Sequence, residues 1–292
     1  MEAAHKVLVI LAVVQMSAGS CPSSCTCEDS SIICSSLGIP EVPLEYDVES
    51  VKILDLSTNM IKSLRADSFL HFVKVSTLYI SFNEIVDIHL ESFSSMPELR
   101  ELDLSYNRLQ YFDPDTLSRN PRLEVLSLTG NPLVQINTQW PILISSSLRS
   151  LDLSECSLET LHPTTFRKLP NLRILDLSSN NIRKLPVESL NGLKNLRIVE
   201  LEFNPWKCSS ETEQMVKWAM KLRGDIPVRR PVKCVELRTV WIGEEREEKP
   251  VLTDDESLKA LTVTSTAALT SGLSIWSILC SLLGLLYIFM IP

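Results

Sequence analysis

Apolar residues recur at a fixed spacing through the middle of the chain, and each group of them leads to an asparagine. Successive asparagines are 24 residues apart, with one interval of 25, and a cysteine takes the asparagine position once. Two apolar residues separated by a single residue precede each of the seven positions. These positions are Asn59, Asn83, Asn107, Asn131, Cys156, Asn180 and Asn204. The pattern therefore predicts seven structural repeats, each with one short strand.

The strand of each repeat is predicted from two apolar residues around a single outward residue, as in Leu54-Asp55-Leu56. Successive side chains along a strand point to opposite faces, so the leucines face the interior. The asparagine that follows can satisfy backbone groups of neighbouring coils with its side-chain amide. Cys156 is expected to contribute a buried thiol hydrogen bond there rather than a reactive group. A second apolar column, ten residues beyond the turn, is expected to fill the convex side: Phe69, Phe93, Leu117, Phe166 and Leu190.

Four cysteines stand close together before the repeats: Cys21, Cys25, Cys27 and Cys34. A zinc site is the alternative for such a cluster, but a secreted chain and the Cys-x-Cys spacing favour disulfides. With seven copies of the pattern LxxLxLxxN, the cluster resembles the N-terminal flanking module of extracellular leucine-rich repeat proteins. The resemblance implies the pairs Cys21–Cys27 and Cys25–Cys34. It also implies an α/β solenoid, a leucine-rich repeat horseshoe with a disulfide-stapled N-terminal cap and a partial C-terminal cap.

The segment after the last repeat is similar to the C-terminal flanking module of the same proteins. A helix is predicted from Ser210, which with Glu213 matches a capping box. The chain departs from the family pattern, because this module usually has four cysteines and here contains Cys208 and Cys234 alone. The resemblance therefore implies a cap held by one bridge, Cys208–Cys234.

Both ends of the chain carry targeting patterns. Residues 1–20 match a secretory signal peptide, with a basic start, an apolar centre and small residues before Cys21. At the other end, residues 271–292 are apolar, and no charged residue follows Lys259. This tail is expected to be either a signal for a glycolipid anchor, attached at Ser265 or Thr266, or a single membrane span. The other predicted boundaries are an N-terminal cap at 21–50, repeats at 51–205, a C-terminal cap at 206–243 and an acidic stalk at 244–270.

No constellation of residues suggests an enzyme, a metal site or a cofactor site. The four histidines fall in the signal peptide or on predicted convex connections, away from the outward side chains of the strands. Those strand positions are rich in carboxylates, the ligands that calcium prefers and the groups that acid–base chemistry uses. Aspartate is common at this position of the repeat, which favours a structural role. An excess of 36 acidic over 28 basic residues argues against a nucleic-acid partner.

Aromatic residues cluster on the predicted concave face of the second and third repeats. Tyr79, Phe82 and Tyr106 project near this face or its edge, and clustered exposed aromatics mark interaction sites more often than scattered ones. The alternative is that they only pack on one another across strands.

Charge is also separated along the C-terminal part of the chain. Residues 207–233 hold seven basic and three acidic residues, whereas residues 244–256 hold seven acidic and two basic ones. A solvated surface is the favoured explanation, and an acidic partner for the basic segment is the alternative.

The resemblance to extracellular leucine-rich repeat proteins, which include connectin-like adhesion molecules and Toll-type receptor ectodomains, implies a non-enzymatic protein on the outer face of the plasma membrane. We expect it to recognise an extracellular or cell-surface protein with its concave face, either a second copy or a different chain. The alternative is a co-receptor in innate-immune or developmental signalling that works through a partner's cytoplasmic domain. A scaffold or inhibitor released from its anchor is a third alternative.

Overall fold

Strands from successive repeats join into one sheet in the computed structural model, which describes residues 21–22, 24–43, 50–134, 141–223, 234–242 and 245–252. Only the backbone is described for residues 216, 219–223, 234–242 and 245–252. Numbered along the chain, the strands are β1 (Thr26–Glu28), β2 (Ser31–Ile33), β3 (Ile53–Asp55), β4 (Ser63–Leu64), β5 (Thr77–Tyr79), β6 (Asp87–Ile88), β7 (Glu101–Asp103), β8 (Val125–Ser127), β9 (Ser150–Asp152), β10 (Ile174–Asp176), β11 (Ile198–Glu200), β12 (Trp206–Lys207), β13 (Cys234–Ile242) and β14 (Glu245–Leu252). The main sheet has the order β1-β2-β3-β5-β7-β8-β9-β10-β11. β1 and β2 are antiparallel, and each later neighbouring pair is parallel.

The middle residue of each repeat strand faces the interior, as the apolar pattern predicts. Leu54 lies opposite Leu78, and Leu78 lies opposite Leu102, so equivalent leucines of neighbouring coils are in register. The same register continues to Val199 in the last strand of the sheet. Each of these side chains is almost completely buried. Because burial of one such side chain contributes about 1.5–3 kcal/mol, this column is a main source of stability.

Asparagine side chains satisfy the backbone where each coil turns away from the sheet. Asn83 illustrates the geometry: its Nδ2 donates to the carbonyl oxygens of Leu56 and Ile80 at 2.9 and 3.1 Å. Its Oδ1 accepts the N–H of Ile61 at 3.1 Å. Each amide thus joins its own coil to the preceding one, which confirms the predicted role of this position.

Cys156 takes the same position in the fifth repeat. Its thiol donates to the carbonyl oxygens of Leu128 and Ser154 at 3.2 and 3.3 Å. The side chain is fully buried and forms no disulfide, and burial raises the pKa of the thiol to about 12. Since only a thiolate reacts readily, the predicted structural role of this cysteine is confirmed.

Large apolar side chains fill the convex side. The rings of Phe69 and Phe93 stack with their centroids 5.6 Å apart. The convex connections also contain a small parallel sheet of β4 and β6 and, in the sixth repeat, a 3-10 turn at Val187–Ser189. All five residues predicted for this second apolar column are buried: Phe69, Phe93, Leu117, Phe166 and Leu190.

Two disulfides hold the N-terminal cap. Cys21 is bonded to Cys27 and Cys25 to Cys34, which confirms the pairing that the family resemblance implied. The hairpin of β1 and β2 continues the main sheet, because β2 pairs with β3 in parallel. Asn59 completes the junction by donating from Nδ2 to the carbonyl oxygen of Cys34 at 2.8 Å.

Trp206 and the following helix close the last coil. The indole is 1% exposed, and its Nε1 donates to the carbonyl oxygen of Leu201 at 2.9 Å. The helix α1 (Ser210–Arg223) buries Met215 on the side that the apolar pattern predicts. The open end of the solenoid is therefore covered by apolar side chains, as a stack of repeats requires.

The helix cap differs by one residue from its prediction. Ser209 is the N-cap, because its Oγ accepts the N–H of Thr212 at 3.2 Å and its carbonyl accepts the N–H of Glu213 at 3.1 Å. Ser210 is therefore the first helical residue, and the predicted capping box of Ser210 with Glu213 is wrong. Glu213 instead forms an ion pair with Lys217, one helical turn further on.

A three-stranded sheet of β12, β13 and β14 follows the last repeat. Cys208 is disulfide-bonded. The side chain of its predicted partner, Cys234, lies outside the described set, but its backbone aligns with Trp206 in the parallel pair of β12 and β13. Residues 245–252, within the predicted stalk, form β14 and run antiparallel to β13.

The predicted targeting segments lie outside the described residues. These are the signal peptide at 1–20, the tail at 271–292 and the attachment candidates Ser265 and Thr266. Within the part of the chain that the structure describes, no helix is long and apolar enough to cross a membrane.

Candidate functional site

The outward residues of the sheet strands form an in-register column along the concave face. The column comprises Asp55, Tyr79, Asp103, Ser127, Asp152, Asp176 and Glu200. Its aspartates cap turns: the Oδ1 atoms of Asp55 and Asp103 each accept the N–H two residues further on, at 2.9 Å. Burial, with smaller contributions from Asp152 and Glu200, raises the pKa of Asp176. No group of residues that could hold a metal ion occurs among the described side chains.

The histidines of the described region lie away from these carboxylates. His89 accepts the N–H of Glu91 with Nδ1 at 3.1 Å, and His162 shares a 3.0 Å hydrogen bond with the hydroxyl of Thr164. Both are therefore part of local turns on the convex connections, and the exposed His71 is on another such connection. Among the described residues, no histidine is placed to act with the aspartate column.

The residue before each turn position has a left-handed backbone in every repeat. These residues are Thr58, Phe82, Tyr106, Gly130, Glu155, Ser179 and Phe203, with φ between 51° and 70°. A non-glycine residue in this region costs about 1 kcal/mol or more. Because the left-handed backbone recurs in all seven coils, and at a non-glycine residue in six of them, it belongs to the turn itself. What distinguishes the second and third repeats is that neighbouring turns both present an aromatic ring.

The rings of Phe82 and Tyr106 stack at the edge of the concave face. Their centroids are 4.6 Å apart and their planes differ by 14°. Phe82 is nevertheless 56% exposed and Tyr106 39% exposed. The two rings therefore pack on each other, as the alternative interpretation held, and still present apolar area to solvent.

Gly130 and Glu155 fix the position of Tyr106 from the other side. A Cβ atom at Gly130 would lie 2.5 Å from Cδ1 of Tyr106, so the ring occupies space that any other residue would fill. The Tyr106 hydroxyl donates to Oε1 of Glu155 at 3.4 Å. Four successive turns thus carry the Phe82 ring, the Tyr106 ring, Gly130, against which the Tyr106 ring packs, and the Glu155 carboxylate.

Tyr79 is an outward residue of the concave face and shares a shallow depression with Tyr106. The depression has a volume of about 250 Å³, and Val125, Glu101 and Asp103 also line it. Partial burial, followed by the nearby carboxylates, raises the pKa of both tyrosines, so both hydroxyls stay protonated at neutral pH. The structure thus brings the three aromatic residues that the sequence suggested into one region: Phe82 stacks on Tyr106, and Tyr79 lines the same depression as Tyr106.

Comparison with known proteins identifies the type of repeat that forms these coils. A sequence profile described as Leucine rich repeat matches residues 73–133 and 146–205. No curated protein matches the chain significantly. The two matched segments are leucine-rich repeats, and the chain that contains them folds as a leucine-rich repeat solenoid with a disulfide-stapled N-terminal cap. Solenoids of this type present extended concave surfaces for binding and are generally non-enzymatic scaffolds.

Solved structures include similar solenoids. The chain is 29% identical to the protein in the crystal structure of a TLR13–ssRNA13 complex, with a TM-score of 0.49 over 55% of this chain and 23% of that one. It therefore spans less than a quarter of that protein. The chain is 26% identical to human 5T4, also called Wnt-activated inhibitory factor 1 or trophoblast glycoprotein, with a TM-score of 0.48 over 69% of this chain and 87% of that one.

Proposed function

We propose that this chain is a non-enzymatic recognition or adhesion protein that binds another protein through an aromatic patch made of Tyr79, Phe82 and Tyr106. The observation that carries the proposal is the stacked and exposed pair of Phe82 and Tyr106, held from behind by Gly130 and Glu155. Leucine-rich repeat proteins commonly bind partners with this face.

The geometry of the patch suits a binding hot spot. Tyrosine and other aromatic residues provide much contact area for few rotatable bonds, and a ring that is already stacked loses little freedom on binding. Hot spots are enriched in such residues at the centre of an interface. Glu101, Asp103 and Glu155 surround the rings, so a partner surface with an arginine or lysine among apolar groups would match both the shape and the charge.

We infer the location of the protein from its disulfides and from the sequence patterns of its two terminal segments. The bridged N-terminal cap supports an oxidising, extracellular environment. We infer that residues 1–20 direct secretion and that residues 271–292 hold the protein on the outer face of the plasma membrane.

Paired variants can test the aromatic patch. Phe82→Ala with Tyr106→Ala should weaken binding to partner-bearing cells roughly thirtyfold or more, since truncating a hot-spot aromatic typically costs about 2 kcal/mol or more. The matched control is Phe203→Ala, because Phe203 occupies the same position of the last repeat and is 64% exposed. Secretion and circular dichroism should stay unchanged in both proteins, because all three rings lie outside the leucine core.

The measurement is the binding of fluorescent cells that express each variant to cells with and without the wild-type chain. Comparing these two kinds of target cell also separates self-association from binding to a different protein. Equal loss in the double variant and the Phe203→Ala control would assign the effect to general surface properties. Normal binding by a well-folded double variant would remove the aromatic patch as the site.

A further inference from the structure

A groove lined by arginines runs across the coils where the strands begin, at the opposite ends of the strands from the turns that carry Phe82 and Tyr106. It has a volume of about 590 Å³. Among the described residues that line it, the charged ones are Arg100, Arg122, Arg149, Arg173 and one carboxylate, Glu124; Arg122 also pairs with Glu98. A net positive groove on a chain with 36 acidic and 28 basic residues is a local concentration of charge that the composition hides.

Residues that directly precede strands supply one wall of the groove, and Arg197 continues their line one coil beyond the lining residues. Backbone hydrogen bonds align these residues from coil to coil: Arg149 N–H donates to Glu124 O, Arg173 N–H to Arg149 O, and Arg197 N–H to Arg173 O, at 2.7–2.8 Å. We call Arg149, Arg173 and Arg197 the arginine column. Neighbouring coils of a parallel sheet lie about 4.8 Å apart, so the column places a cation at each such step.

One half of this wall contains a carboxylate that pairs with its arginines, whereas the other half contains none among the described residues. Glu124 lies between Arg100 and Arg149 and pairs with both, at 3.4 and 3.6 Å. Arg173 and Arg197 are exposed, and neither has a carboxylate partner among the described residues. Like charges on directly adjacent strands destabilise a sheet. The free protein therefore carries an electrostatic cost at this end of the groove that an anion would relieve.

Amide side chains form the second wall. Asn195 Nδ2 donates to Asn171 Oδ1 and to the carbonyl oxygen of Pro170, both at 3.1 Å, and Asn171 Nδ2 donates to the carbonyl oxygen of Ser146 at 2.8 Å. This ladder keeps the wall polar and ordered beside the arginines. The groove thus combines a row of cations with a row of fixed hydrogen-bonding groups.

We propose that this groove binds a sulfated polysaccharide chain, with successive sulfate or carboxylate groups along the arginine column. Arginine guanidinium groups bind planar and tetrahedral anions through two parallel N–H bonds. The arginines of successive coils thus offer a row of cations to a chain whose anionic groups repeat along its length. Its disulfides place the chain where such glycans occur.

The lining of the groove separates this ligand from other polyanions. Single-stranded nucleic acids bind through aromatic side chains on which the bases stack, and none of the described residues that line the groove is aromatic. Protein partners are anchored by buried apolar or aromatic groups, and the lining here is almost entirely polar. A sulfated sugar chain carries hydroxyl and amide groups that can hydrogen-bond to the asparagine wall, and anionic groups that can bind the arginines.

A single charge reversal tests the proposal. In Arg173→Glu, a carboxylate stands between Arg149 and Arg197, as Glu124 does between its own two arginines. The variant should therefore melt at the wild-type temperature or above it, while it binds a short heparin oligosaccharide at least tenfold more weakly. The matched control is Arg183→Glu, an equal change of charge at an exposed position after the turn of the same coil, which should bind within about twofold of wild type.

The measurement is titration of the purified full-length chain with the heparin oligosaccharide, its desulfated form, a poly-glutamate peptide and single-stranded oligo-dT. The sulfated sugar should bind most tightly, with an affinity that falls as salt rises. Wild-type affinity in a folded Arg173→Glu protein, an equal loss in Arg183→Glu, or tighter binding of the peptide or oligo-dT would each overturn the proposal. Should Arg173→Glu fail to fold, Arg173→Gln with Arg197→Gln must show the same loss.

This site and the aromatic patch can be tested independently. Phe82→Ala with Tyr106→Ala should leave heparin binding unchanged, and Arg173→Glu should leave binding of the protein partner unchanged. Loss of only one activity in each variant therefore supports both proposals, and a variant that keeps the activity it was expected to lose shows which of the two fails.

Discussion

Removal of one turn asparagine should destabilise the whole solenoid. Asn107 is 5% exposed and lies in the third repeat, with a coil on either side. Its Oδ1 accepts the N–H of Ile85 at 3.0 Å, and its Nδ2 donates to the carbonyl oxygens of Ile80 and Leu104 at 3.1 and 3.0 Å. Asn107→Ala removes these three hydrogen bonds together with a longer fourth one, from Nδ2 to the carbonyl oxygen of Ser105 at 3.3 Å.

The expected loss in the free energy of unfolding depends on which hydrogen bonds the partner groups keep after the substitution. The Ile80 carbonyl keeps a hydrogen bond from Asn83, and the Leu104 carbonyl keeps one from Asn131, so each loses one of two partners. The buried N–H of Ile85 is left with none. At about 1 kcal/mol for each lost hydrogen bond and somewhat more for an unpaired buried donor, the free energy of unfolding should fall by about 3 kcal/mol.

The assay is urea unfolding of the purified protein, followed by circular dichroism. Asn195→Ala is the matched control, because Asn195 also makes two amide hydrogen bonds but is exposed, and its loss should cost no more than about 0.5 kcal/mol. A loss below about 1 kcal/mol in Asn107→Ala, or equal losses in both variants, would refute the role of the buried amides.

Two further predictions concern cysteine reactivity and membrane attachment. Since burial raises the pKa of the Cys156 thiol to about 12, alkylating reagents at pH 8 should modify it only after unfolding, as peptide mass spectrometry can show. Modification in the folded protein would contradict the structure of this coil. A phospholipase that cleaves glycolipid anchors should release the chain from expressing cells; retention of a protein that still contains Trp276 would indicate a single membrane span instead.

The fold could be predicted because the same pattern of residues recurs in every coil. Each Leu and Asn of the repeat has the same surroundings in every coil, so one interpretation of Leu54 or Asn59 extends to all equivalents. Cys156 was equally accessible, because it occupies a position whose neighbours are known. The helix cap was not, since Ser209 and Ser210 are adjacent and only the backbone geometry decides which carbonyl starts the helix.

The sites depend on contacts between coils, which a single repeat does not reveal. The sequence suggested the aromatic cluster, but Tyr106 is held by a glycine and a carboxylate in the next two turns. The sequence signal for this packing was Gly130, the one glycine in the column of seven turn residues. The charge of continuous segments does not reveal the arginine column, because its members are 24 residues apart in the sequence.

Site-specific photo-crosslinking tests most directly whether the concave face carries the binding function. Val125 lines the depression beside Tyr79 and Tyr106 and is 39% exposed, whereas Leu70 is 56% exposed on a convex connection. A benzoylphenylalanine at position 125 should crosslink a cell-surface protein on partner-bearing cells, and the same group at position 70 should not. Crosslinking from position 70 with none from position 125 would contradict the account and place the partner on the convex side.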